Sequence, residues 1–420
     1  MKKVIGMLAV VAFASSMASA ELLKNFKYDG KVEVLSFSEQ NAVTFDKKKS
    51  PNDSFSDTRS RVSLGASFDL NEDASAGVTA IKCDRQYDST VQQTVAGGTI
   101  DAFKFYEAYL NLKNVFGIDH KVGKQFYGKT GDIIIYYGPS GWTTRIMTAA
   151  SLEGWTGIWK KDKLVVTGLS AKYNEGLTTT LTDKDISGLT ASYDYSEIVK
   201  PTAYIYRSDD RNTVATLENR LIVAGVKAEG KYMDVTYAAE YAMNKGSNRT
   251  AATAVDYNGN AMKFNAKYNF GLGLGNLEAS GEFARGTGDK ASASKNEGFK
   301  AINSHYRPGI IVSANGYGAG VASKFTSLDN LTCWNASLKA MPKDLSKLNV
   351  TAKYVNLKYT EKVGTAKDIG NELDMTATWA HSDNLSIQAA YAMFMPDKDI
   401  AIATKHDAVN LMILYASVKF

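Results

Sequence analysis

The sequence predicts an all-β protein, a transmembrane antiparallel up-and-down β-barrel of about 18 strands with 16 as the alternative. Three observations predict it. Apolar and polar residues alternate with a period of two in segment after segment. Short turns and long polar loops alternate between those segments. The chain ends on an alternating strand, "LMILYASVKF", closed by Phe420.

The first twenty residues read as a secretory signal removed from the mature chain. Lys2 and Lys3 precede an apolar run from Val4 to Phe13 and an Ala18-Ser19-Ala20 cleavage site, too short to span a bilayer as a helix. Residues 21–420 are then expected to form one barrel domain. The formal charge is +5, or +3 without Lys2 and Lys3, which implies no strongly charged partner. Mean hydropathy is −0.24 and charged residues make up 22%. That balance suits a soluble exported protein and a barrel with a polar lumen equally, so pattern decides.

Pattern favours the barrel. In "NAMKFNAKYNF", Met262, Phe264, Ala266, Tyr268 and Phe270 share one parity, and Lys263, Asn265 and Lys267 the other. Segments 26–34, 189–196, 231–243, 330–340 and 371–381 repeat it, while those around 74–87, 154–160 and 200–207 are placed mostly by spacing. Short turns fall at 71–73, 114–117, 161–163, 197–199, 229–230, 271–275, 341–346 and 382–384. Long loops fall at 39–58, 88–100, 127–153, 174–186, 208–217, 244–258, 286–329, 360–369 and 396–406. A soluble Greek-key sandwich has no reason to sort its connections this way. Pro51, Pro139, Pro201, Pro308, Pro342 and Pro396 all lie in loops, turns or strand starts, so no ladder loses a donor. Aromatics such as Tyr28, Phe68, Tyr193, Tyr195 and Trp379 gather toward segment ends, as in the girdles at membrane interfaces.

With the apolar parity facing lipid, the other parity lines a water-filled lumen. Its candidate residues are Lys31, Glu33, Arg61, Asp194, Asp234, Glu240, Lys263, Lys267, Glu278, Glu282, Lys339, Lys353, Glu372 and Asp374. Acidic and basic strands alternate around the wall, which allows cross-strand neutralisation or a transverse field that sorts solutes by charge. Cys83 and Cys333 would lie across the barrel from each other, beyond disulfide reach.

Enzyme and metal signals are poor. His120, His305, His381 and His406 are scattered, and Asn303-Ser304-His305 is adjacency without triad geometry. "GLGLG" at 271–275 opens no helix and reads as a turn, not a phosphate loop. No cofactor, metal or nucleic-acid partner is expected, nor a plug domain ahead of the first strand.

Two stretches carry a family resemblance. "TRSRVSLGASFDL" at 58–70 and "EAYLNLKNVFGIDHKVGKQ" at 107–125 resemble the second strand and the fourth–fifth hairpin of Gram-negative general porins, through Glu107-Ala108-Tyr109, Phe116-Gly117 and Gly123-Lys124-Gln125. The long 286–329 loop is similar to that of alginate-export porins. The resemblance implies an outer-membrane location, a homotrimer and a third extracellular loop folded inward, here 127–153. Asp132, Tyr136, Tyr137, Trp142 and Arg145 would then form the constriction, although the family's acidic segment is replaced by Ile133-Ile134-Ile135-Tyr136-Tyr137. The terminal Phe420 resembles the signal read by the barrel assembly machinery. The expected function is passive diffusion of small hydrophilic solutes and ions. The alternatives are a selective channel with an aromatic track of Tyr136, Tyr137, Trp142 and Trp155, or a structural or adhesive envelope protein.

Overall fold

A computed structural model describes residues 24–42, 45–48, 53–86, 94–95, 98–99, 103–145, 147–174, 183–211, 218–249, 254–273, 275–291, 294–313, 325–398, 400 and 405–420. The signal segment 1–20, Pro51 and most of the 88–100 loop lie outside these residues.

One sheet joins twenty strands, two of which, Val255–Tyr257 and Lys295–Asn296, are short pieces of loop. The remaining eighteen are the staves of a barrel. They are β1 (Lys24–Gln40), β2 (Ser54–Asp69), β3 (Ala74–Gln86), β4 (Lys104–Val115), β5 (Ile118–Gln125) and β6 (Leu152–Lys161). β7 (Leu164–Asn174), β8 (Lys184–Tyr193), β9 (Lys200–Arg211), β10 (Glu218–Tyr232), β11 (Val235–Asn248) and β12 (Asn260–Leu272) follow. β13 (Gly275–Gly286), β14 (Leu331–Pro342), β15 (Leu348–Val363), β16 (Ala366–Ala380), β17 (Leu385–Pro396) and β18 (Val409–Lys419) complete the ring. Each pairs antiparallel with its sequence neighbours. β18 returns to β1 in register from Lys31↔Lys419 to Gln40↔Asn410, so no edge remains.

The period of two now has its physical cause. Val32, Val34, Leu64, Phe264, Met262, Trp334, Met412 and Leu414 stand exposed on the outer wall, while Leu35, Phe37, Leu411 and Ile413 between them are buried inside. Apolar side chains left exposed all around a closed sheet face hydrocarbon, the arrangement of a membrane barrel.

Most turns lie where spacing puts them. Phe116-Gly117 joins β4 to β5 with both residues at positive φ, 56° and 79°, the left-handed pair a two-residue hairpin requires. Three expectations need correction. The turn placed at 229–230 is Met233-Asp234, because β10 pairs with β11 as far as Tyr232↔Val235. Asp234 therefore tips a turn and does not line the wall. Asp194 likewise lies past the end of β8 and pairs with Lys200 in the open (Nζ–Oδ1 3.3 Å). The loop expected at 360–369 is a tight Gly364-Thr365 turn, since β15 and β16 pair on to Val363↔Ala366.

Candidate functional site

The lumen is defined by its wall and by two connections that enter it. Residues 126–145 and 147–151, between β5 and β6, fold inward as expected. So do residues 299–313 of the connection between β13 and β14, which the pattern of the sequence leaves as an external loop.

Inside the barrel the two connections pair. The Ile302 and Asn303 amides donate to Ile134 O (3.1 and 3.0 Å), Tyr136 N donates to Asn303 O (2.8 Å), and His305 N donates to Asp132 O (2.8 Å). Around this zipper Ile133, Ile134, Ile135, Tyr137, Met147, Phe299, Tyr306, Ile311 and Val312 pack against Leu35, Phe37, Leu357 and Phe394 of the wall. The lumen expected to be open water is thus filled, at the level of these connections, by a dry apolar core. The apolar run that replaces the acidic porin segment explains it: Ile133 to Tyr137 has no place in water.

Wall charges fix both connections in place. Glu33 accepts from Arg61 Nε and Nη2 (2.6 and 2.9 Å), Lys31 Nζ (2.7 Å) and Tyr415 Oη (2.6 Å). The remaining Arg61 nitrogen, Nη1, donates to Ser140 O (2.9 Å) and Thr148 O (3.1 Å) of the first connection. Lys263 Nζ donates to Gly131 O (3.1 Å) and lies 3.6 Å from Glu282, which also accepts from Tyr306 Oη (3.0 Å). Arg145 forms an ion pair with Glu39 of β1, both fully buried. Glu372 accepts from the Ile311 and Val312 amides (2.7 and 3.0 Å), Asp374 accepts from Ile310 N (3.3 Å), and Lys353 Nζ donates to Pro308 O (2.5 Å). Hydrogen bonds to charged groups are the strong class, and a dry surround strengthens them further.

Toward the periplasmic turns the wall is wetter. Lys267 pairs with Glu278 at 3.5 Å, and Lys339 stands opposite Glu278 in the ladder. On the neighbouring wall Glu240 accepts from Tyr204 Oη (2.7 Å), and the Tyr127 and Tyr206 hydroxyls meet at 3.0 Å.

His305 sits in the zipper with Nδ1 accepting from Gly131 N (3.2 Å) and Tyr136 packed edge-on against its ring. Burial, reinforced by the Arg307 guanidinium, pushes its pKa down to about 4, so the ring is neutral at pH 7. Between the first connection and β4–β7 lies a cavity of about 510 Å³ lined by Asn111, Lys121, Gln125, Tyr127, Tyr136 and Thr156. Pockets of this size hold small organic solutes.

The aromatic track is not assembled. Tyr137 is buried, and Trp142 stacks on Tyr415 with ring centres 5.7 Å apart. Trp155 opposes Val122, on the parity away from the lumen-facing Thr156–Lys121 pair, and donates to His120 (2.9 Å). Cys83 and Cys333 are thiols that form no disulfide with each other. Glu39, Tyr204, Tyr206, Tyr306 and Tyr415 were not singled out from sequence. Glu39 and Tyr415 share the inward parity of Glu33 and Ile413, which is the signal that finds them.

An eighteen-strand barrel with an apolar belt and two inward connections is the architecture of outer-membrane porins, channels for small solutes in the bacterial outer membrane. Solved structures agree. OpdQ of Pseudomonas aeruginosa aligns at TM-score 0.60 with 12% identity over 96% of this chain and 99% of its own. OccAB2 of Acinetobacter baumannii gives TM-score 0.62 with 12% identity over 94% and 98%. Pseudomonas aeruginosa OpdK, solved with vanillate, gives 0.58 with 11% identity over 94% and 98%. At such identities the likeness shows the fold. The family comes from sequence: the alginate export profile matches residues 38–409, and the chain belongs to that family. No protein of curated function matches it.

Proposed function

We propose that this porin is a selective, non-enzymatic passage for small hydrophilic solutes rather than a wide general pore. The observation that carries this reading is the zipper of 131–136 with 302–305, which fills the upper lumen with side chains and narrows the way through it. The family's name refers to alginate, a polyanion. In this chain, however, the lumenal cations Arg61, Lys263 and Lys353 answer to acids or carbonyls, Arg61 to Glu33, Lys263 to Glu282 and Lys353 to Pro308. Such a wall suits neutral or zwitterionic solutes better than a long anion. The pore-lining roles of Lys31, Glu33, Arg61, Glu240, Lys263, Lys267, Glu278, Glu282, Lys339, Lys353, Glu372 and Asp374 belong to this proposal. So do cleavage of residues 1–20, a homotrimeric assembly, and recognition of Phe420 by the assembly machinery.

Planar-bilayer recording of the purified protein is the test. Small conductance steps, a reversal potential near zero in a salt gradient, and saturable block by some members of a panel of disaccharides, amino acids, vanillate and alginate oligomers are expected. Large ohmic steps with no solute block would return the protein to general diffusion, and a barrel that never conducts would leave a structural or adhesive role.

A further inference from the structure

Lys353, Glu372 and Asp374 lie on adjacent strands, Lys353 directly opposite Asp374 in the ladder. That register lets the ammonium neutralise the carboxylates within the wall, as Lys263 and Glu282 do on β12 and β13. They are turned to another use. Lys353 donates to Pro308 O, Asp374 takes the Ile310 amide, and Glu372 takes both the Ile311 and Val312 amides, one on each oxygen. Consecutive amides converging on one carboxylate form an anion-binding nest, and here the anion is the wall itself. The segment they hold carries no strand of its own. Inside it Gly309 N donates to the Ser313 hydroxyl and Arg307 Nη1 to Tyr306 O. It is tied to the rest by His305 N to Asp132 O, Gly131 N to His305 Nδ1, Tyr306 N to the Ser304 hydroxyl, Tyr306 Oη to Glu282 and Arg307 Nη1 to Thr326 O. Wall staves are fixed by ladders of backbone bonds; this piece is fixed by side-chain hydrogen bonds and by the burial of Tyr306, Ile310, Ile311 and Val312.

From this we propose that residues 305–313 are a lid over the lumen, latched shut by the Glu372 carboxylate with Asp374 and Lys353 beside it. Releasing the latch lifts Ile310, Ile311 and Val312 off the wall and widens the passage. The lid adds a moving part to the selective channel proposed above and rests on that reading only for its conductance readout. Segments with few backbone bonds sit at the low-stability end of a protein and open independently of its global unfolding.

The experiment compares wild type, Glu372→Gln and Glu372→Ala in detergent micelles by amide hydrogen exchange and in planar bilayers by single-channel recording. Heat-modifiable gel migration reports that the barrel is closed. Exchange at Ile310–Val312 should accelerate about tenfold or more in Glu372→Ala, less in Glu372→Gln, with β1 and β16 unchanged. Conductance should rise in the same order. Unchanged exchange overturns the latch. Faster exchange with unchanged conductance overturns the lid. Should Glu372→Ala fail to close its barrel, Lys353→Met probes the latch from its other side under the same criteria. Because exchange needs no transport, a wild type that does not conduct would sink the channel reading while leaving the latch to be judged.

Discussion

At the extracellular level of the lumen Glu39, Arg145 and Glu372 are wholly buried, and each is held by a partner from a different part of the chain. At the periplasmic level Lys267 is 47% exposed and pairs diagonally across the ladder with Glu278. Both levels draw on the same residue types, acids paired with bases. The difference is what covers them. Inward connections exclude water above, so charges there are obliged to be paired and they fasten the connections. Below, water screens the charges and leaves them to act on whatever passes. The upper charges are structural rivets, and the lower ones are available for selectivity.

The contrast can be broken first at its strongest point. Arg61→Ala leaves Glu33 buried with its main partner gone and releases Ser140 and Thr148, so it should cost about 3–5 kcal/mol of barrel stability in urea titrations followed by gel migration. A loss under about 1 kcal/mol would mean that the upper lumen is wet.

Acidification tests the zipper next. The pKa of His305 is lowered by folding, so its contribution is complete above the ordinary histidine range near 6.5 and fades as pH falls toward about 4. Amide exchange at 302–305 and channel conductance should both increase over that window, and His305→Gln should flatten the response.

The lower level is sharpened by Lys267→Glu. It should move the reversal potential toward cations while changing stability by less than about 1 kcal/mol, because the Lys267–Glu278 pair is exposed. Adding Lys263→Glu should extend the shift and also loosen the first connection, whose Gly131 carbonyl Lys263 holds. The smallest effect is expected from Trp155→Ala: the indole faces outward, so solute block and conductance should stay as they are.

The wall was largely legible in the sequence and the interior was not, for a physical reason. A stave with one face in lipid and one in the lumen must alternate, so Met262 and Lys263 declare their sides. Where neutralising pairs were expected between adjacent strands, Lys263–Glu282 and Lys267–Glu278 form. The inward connections obey no such period. Their contacts are set by shape, through Ile134 meeting Asn303 and Glu372 meeting Ile311, residues far apart in the chain. One trace was present: "DIIIYY" at 132–137 and "GIIV" at 309–312 are too apolar for loops in water. Asp194 and Asp234 failed because parity says which side a residue faces but not where the ladder stops.

The seam of the barrel carries a consequence for how such a molecule is made. Gly30 and Phe420 exchange backbone hydrogen bonds of 2.7 and 3.0 Å, joining the first staves to the final residue. The ring stays open until β18 has paired with β1, the two staves most distant in the sequence. Until then the first stave is an unzipped edge that invites wrong partners, and closing so remote a contact is intrinsically slow. The edge of β1 is therefore where misassembly of this barrel would start.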